Sequence, residues 1–181
     1  MKKIVSIIVL SAVLIGCQNQ TPTLDTSNLE KTSPNQIENM SKEQKKTLPI
    51  DYKAPSTKTA IDSLPFHVKL PSKLPFETTP FKVQQLQDVR HDGKTVRVVF
   101  TAFHSEKDHM ILISILATNE KTKFAGSKKK VNLKSNIRGY IQGDSIHFKK
   151  DGVTYDIGFT AENKSDISNI QLIDLANQMI K

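Results

Sequence analysis

Proline placement constrains this chain more than any other feature. All eight prolines (Pro22, Pro34, Pro49, Pro55, Pro65, Pro71, Pro75 and Pro80) lie in the first 80 residues, and none follows. Proline cannot donate to a sheet ladder and is excluded from central strands. A long proline-free run behind a proline-rich one therefore reads as an ordered, strand-competent domain behind a linker.

The proline-free part carries alternation of period two, the mark of strands with one buried face. Lys82–Arg90 is a weak strand anchored by Val83 and Val89. His91-Asp92-Gly93 reads as a turn, because Asp-Gly suits the positive φ of a tight hairpin. Val96, Val98, Phe100 and Ala102 then share a face, as do Ile111, Ile113, Ile115 and Ala117. The second of these segments also carries Met110, Leu112 and Leu116 on its other side, which places it centrally in a sheet. Short strands follow at Val131–Leu133 and Ile137–Gln142. Ser145–Lys149 and Val153–Phe159 pair about Lys150-Asp151-Gly152. The chain ends in an amphipathic helix opened by a capping box at Ser168-Asn169-Ile170-Gln171, with Leu172, Ile173, Leu175, Ala176, Met179 and Ile180 as its apolar stripe. These patterns predict an α+β fold: a curved antiparallel sheet of about six strands with the C-terminal helix packed on it.

Ahead of that domain, Leu64 to Phe81 is spaced by four prolines and reads as an extended strap whose Phe66, Val68, Leu70, Leu74, Phe76 and Phe81 point to the core. Residues 17–63 are rich in Thr, Ser, Asn, Gln, Lys and Pro and sparse in apolar side chains. Such a segment is expected to stay disordered. A short helix is expected within it, around Gln36–Lys46. As a flexible coil it would separate its ends by roughly 35–40 Å. The domain proper then spans 64–181.

The N-terminus reads as a secretory leader. Lys2 and Lys3 precede the uncharged apolar run Ile4–Ile15, which is too short to span a bilayer as a helix. The tetrapeptide Leu14-Ile15-Gly16-Cys17 resembles the bacterial lipobox. That resemblance implies cleavage of residues 1–16 and a diacylglycerol on Cys17. Cys17 is the sole cysteine, so no intramolecular disulfide and no cysteine-paired zinc site can form. The leader removes two of 26 basic residues set against 18 acidic ones, leaving the mature part at +6. That charge suits anionic lipid or an anionic wall polymer. Nucleic acid is not an expected partner of an exported chain whose aromatic content is 6% and which has no tryptophan.

Three segments, LPFHVKLPSKLP, DGVTYDIGF and IQLIDLANQMIK, together resemble an uncharacterised envelope domain of lipoproteins and membrane-anchored regulators from Bacillus-like bacteria. In that domain a Pro-x-x-Leu-Pro strap, an Asp-Gly-x-x-Tyr hairpin and a closing helix recur. Here they correspond to Pro71–Pro75, Asp151–Tyr155 and Leu172–Ala176, within a resemblance covering about Leu64–Lys181. Phe76-Glu77 stands where a glycine often follows the strap. The family is distantly similar to lipoprotein-carrier folds, which wrap a sheet around an apolar groove, and it offers no catalytic residues to carry over.

Candidate chemistry in the residues themselves is sparse. The segment His104-Ser105-Glu106-Lys107-Asp108-His109 holds metal-type side chains, but its spacing matches no zinc-helix motif and it reads as a polar loop. No glycine-flanked serine elbow and no phosphate-cradling loop occurs. No metal and no cofactor is expected. The basic run Lys128, Lys129 and Lys130, with Lys134 and Arg138, is the candidate for binding an anionic surface. The expectation is a non-enzymatic, lipid-anchored protein on the extracytoplasmic face of a Gram-positive cell membrane. It would bind an apolar or anionic envelope ligand or assist an envelope partner. A sensory or docking module for another membrane protein is the alternative, and a hydrolase with a spatially assembled site the second alternative.

Overall fold

The computed structural model describes residues 22–32, 41–106, 109–122, 129–161 and 169–180. Among them nine strands form one antiparallel sheet, which does not close on itself. They are β1 (Glu30–Thr32), β2 (Ile50–Lys53), β3 (Lys82–Asp88), β4 (Val96–Glu106), β5 (His109–Thr118), β6 (Lys129–Asn132), β7 (Arg138–Gln142), β8 (Ser145–Lys150) and β9 (Val153–Ala161). The order β1-β2-β3-β4-β5-β9-β8-β7-β6 joins two meanders, so the chain leaves β5 and returns from the far edge. The helices are α1 (Lys42–Thr47), α2 (Thr57–Ser63) and α3 (Asn169–Ile180).

Alternation fixes which face is buried. Val96, Val98, Phe100 and Ala102 on β4 and Ile113, Ile115 and Ala117 on β5 are all fully buried. They lie beside one another through the pairs Val98↔Ala117, Phe100↔Ile115 and Ala102↔Ile113. β9 adds Ile157 and Phe159, and β8 adds Ile146 and Phe148. The α3 side chains Leu172, Leu175, Ala176, Met179 and Ile180 complete this layer, each large one contributing ~1.5–3 kcal/mol by leaving water. The proline-spaced strap lies on the same face. The Tyr155 hydroxyl donates to the His67 carbonyl at 2.9 Å, and Phe76 packs edge-on against Phe159 at 6.1 Å. Gln178 of α3 clasps the strap, accepting from the Ser72 and Lys73 amides and donating to the Lys73 carbonyl.

The hairpin turns follow the residues that permit positive φ. Lys150 pairs with Val153, leaving Asp151 (φ 49°) and Gly152 (φ 82°) as a two-residue loop, the type I′ geometry that matches strand twist. The β3–β4 turn is held by two carboxylates. Asp88 accepts from the Arg90 and Gly93 amides, and Asp92 accepts from those of Lys94 and Thr95.

Two expectations are corrected. The sheet has nine strands rather than about six, and its helical layer is small. The segment expected as a disordered tether also contributes regular structure, with β1, β2, α1 and α2 all falling between residues 30 and 63. Leu24 is only 7% exposed and its amide donates to the Gly93 carbonyl; Ala60 is fully buried. Composition failed here because few apolar residues are needed once a sheet edge already exists. β2 adds to β3 through Ile50↔Asp88 and Asp51↔Gln87, β1 adds to β2, and the ladder satisfies their backbone groups. The helix expected near Gln36–Lys46 overlaps α1 at Lys42–Lys46, where a capping box between Ser41 and Gln44 opens it, while Gln36–Met40 lies outside the described residues. Ser168, the expected cap of α3, lies outside the described residues.

Candidate functional site

With α2, α3 and the strap on one face, the other face of the central strands carries the remaining chemistry. Strand register arranges it in rows. Val99↔Leu116, Leu116↔Asp156, Asp156↔His147, His147↔Tyr140 and Tyr140↔Lys130 form one row across five strand pairs. Thr101↔Ser114, Ser114↔Gly158 and Gly158↔Ser145 form the next, made of small side chains. A Cβ built on Gly158 would stand 3.1 Å from the Ser145 hydroxyl and 3.2 Å from that of Ser114, so this row is closely packed. Beyond it Phe103 faces Leu112, with Met110 further along β5. Phe103 and Met110 are 40% and 53% exposed, the large apolar side chains most open to water among the described residues. An open cleft of about 450 Å³ borders Phe103, between β4 and the strap at Glu77, Thr78 and Thr79.

The polar part of this face centres on His147 and Asp156. His147 Nδ1 lies 3.0 Å from Asp156 Oδ2. Burial raises the Asp156 carboxyl above the usual carboxylate range, and the neighbouring imidazole acts in the opposite direction. At one end of the face the chain leaving β5 covers Thr118 and Thr154. The Thr122 hydroxyl donates to that of Thr154, and Glu120 pairs with Arg97 at 2.8 Å.

The candidate residues for anionic binding separate. Lys130 and Arg138 share this face, diagonal across the β6–β7 pair, while Lys129 alternates to the other. Lys134 lies in a 3₁₀ turn, where its amide donates to Asn177 Oδ1 of α3. Cys17 and Lys128 lie outside the described residues. The histidine-containing segment is strand rather than loop up to Glu106 and again from His109. His104 turns to the strap, with Nδ1 at the Glu77 carbonyl and its ring beside Phe76. Among the described residues no group of three His, Cys, Asp or Glu side chains is placed to hold a metal, and no helix is long and apolar enough to cross a membrane.

Sequence reasoning passed over the His147–Asp156 pair, although its signal was present. A two-residue loop at Asp151-Gly152 fixes the register, and counting outward from Lys150↔Val153 brings His147 opposite Asp156. The same count stacks Phe148 on Tyr155, with ring centres 5.0 Å apart. Comparison with family models, curated proteins and solved structures finds no match for this chain.

Proposed function

We propose that this protein is a lipid-anchored extracytoplasmic binding protein with no catalytic role of its own, which seats an apolar envelope ligand or the apolar segment of an envelope partner on the sheet face opposite α3. The observation that carries the reading is the strip of exposed Phe103 and Met110 with half-buried Leu112 between them, beside the cleft at Glu77–Thr79. Large apolar side chains left open in a row mark interaction surfaces. The leader and Cys17 supply the location, and the resemblance to an envelope domain agrees with it. Because the strip lies on an open face, it also suits the alternative of docking onto another membrane protein.

The test is native mass spectrometry of the full protein released mildly from its own membrane. The wild type is expected to carry a lipid or protein adduct, and Phe103→Lys with Met110→Lys is expected to lose it at unchanged melting temperature. A wild type without an adduct, or a variant that keeps it, would count against the proposal. Residence at the membrane is tested separately by Cys17→Ser, which should leave the leader uncleaved and the mature, acylated form absent.

A further inference from the structure

The path from Cys17 into the fold is short, and this decides which part of the domain meets the bilayer. Thr23 packs on the β3–β4 turn, with its Cβ 3.4 Å from a Cβ built on Gly93. The Leu24 amide donates to the Gly93 carbonyl at 2.6 Å, and the Asp25 amide to the Ser63 carbonyl at 2.9 Å. Leu24 stands seven positions after Cys17, and seven fully extended steps reach at most ~25 Å. If Cys17 is acylated, as the proposed function holds, the β3–β4 turn cannot stand farther than this from the lipid surface.

Register places several other segments at the same end of the sheet. Asn119, just beyond β5, accepts from the Val96 amide and donates to the Lys94 carbonyl. Thr118 pairs with Thr154, which brings the β8–β9 tip alongside, and the start of β7 follows beside the end of β8. With strands about 4.8 Å apart, these segments form one rim. Arg90, Lys94, Lys121, Lys149 and Arg138 are exposed on it. Of its carboxylates, Asp88 and Asp92 accept from backbone amides of the turn, Glu120 pairs with Arg97, Asp151 lies 3.9 Å from the Lys150 ammonium, and Asp25 accepts from the Ser27 amide. Amide donors leave a carboxylate charged, so the seven cations of the rim (the five exposed ones with Arg97 and Lys150) stand against five carboxylates, an excess of two where the anchor enters.

We propose that this rim, with Arg90, Lys94, Lys121, Arg138 and Lys149, rests on anionic phospholipid headgroups and sets the orientation of the domain. The proposal rests on the Cys17 reading for its geometry, but its charge contacts are measurable without the lipid. One acyl-bearing residue restrains distance and not tilt. Several cations within a Debye length of the surface (~10 Å at 0.1 M salt) fix the tilt.

The experiment uses the mature chain, residues 17–181, made without its leader and so unacylated. Co-sedimentation is measured with vesicles of phosphatidylglycerol and phosphatidylcholine and with phosphatidylcholine alone. The wild type should bind the anionic vesicles only, and salt should weaken that binding. Changing Lys94, Lys121, Arg138 and Lys149 together to Gln should weaken binding at least about tenfold. Changing the exposed Lys82 and Lys53, at the far ends of β3 and β2, should alter it less than ~twofold, because Lys82 stands six residues along β3 from Asp88, roughly 20 Å and beyond the screening length. Equal loss in the two sets, loss in the second alone, or a wild type indifferent to lipid charge would overturn the proposal. The intact mass of the protein extracted from its membrane reports acylation of Cys17 independently, so failure of the anchor reading is seen apart from failure of the rim.

Discussion

Replacing Leu24 by alanine asks whether the N-terminal segment is part of the folded unit or a passive spacer. Leu24 is 7% exposed and packs with the main core, although it lies in a stretch whose composition predicts disorder. The substitution removes three carbon groups that are almost wholly out of water. At ~0.8 kcal/mol for each, the transfer loss is about 2 kcal/mol. The cavity adds little, because a site near the point of chain entry can collapse or admit water. The backbone hydrogen bond to Gly93 is retained, so the loss reports side-chain packing. With a urea dependence of about 2 kcal/mol/M, the unfolding midpoint should fall by about 1 M at unchanged slope. The assay is equilibrium urea unfolding followed by far-ultraviolet circular dichroism and by the fluorescence of the three tyrosines Tyr52, Tyr140 and Tyr155, and the transitions from the two probes should coincide. A midpoint shift under ~0.2 M would refute the packing argument and return residues 22–32 to the role of a spacer.

Further expectations concern the sheet and its buried groups. Gly139→Ala should destabilise by ~1–3 kcal/mol, because a Cβ there would lie 3.0 Å from Leu133 Cδ1 and 3.1 Å from Val131 Cγ2; a change within experimental error in thermal unfolding would show that these neighbours move aside freely. Burial pushes the Tyr155 hydroxyl up to about 12, with the Asp151 charge adding to the shift. The unfolded chain then loses its tyrosine proton first, so stability from this group is present below pH 10 and falls between pH 10 and about 12. Tyr155→Phe should reduce that alkaline fall, and it should cost ~1 kcal/mol at neutral pH by leaving the His67 carbonyl without its hydroxyl partner; an unchanged alkaline slope would contradict the assignment. Asp156 has its carboxyl raised by burial, so the folded state favours the protonated form and stability is lost as pH rises through its titration. Asp156→Asn should therefore be more stable relative to wild type at pH 7 than at pH 3, and the opposite trend in urea midpoints would mean that attraction to His147 outweighs burial.

How much was legible in the sequence depended on whether a signal was local. The strands from Val96 to Phe159, the Asp151-Gly152 turn and the amphipathic stripe of α3 were all readable, because side-chain alternation and turn chemistry are properties of neighbouring residues. The basic run at Lys128–Lys130 was likewise legible as a charge cluster. The sequence also contained the register that pairs His147 with Asp156, although extracting it required treating the tight loop as an exact count.

What tertiary structure alone decided was the fate of weak segments and the grouping of distant ones. Glu30–Thr32 and Ile50–Lys53 are too polar to hold as strands in isolation, and they become strands only because β3 presents an edge with unpaired backbone groups. Leu24 becomes a core residue because the Gly93 turn and Ser63 meet it there. Lys94, Lys121 and Lys149 form one rim only after β4, β5, β9 and β8 are laid side by side, whereas the adjacent Lys129 and Lys130 split because successive residues of a strand point to opposite faces. Local pattern sets what each segment can become, and the backbone hydrogen bonds and burial offered by its neighbours select among those outcomes.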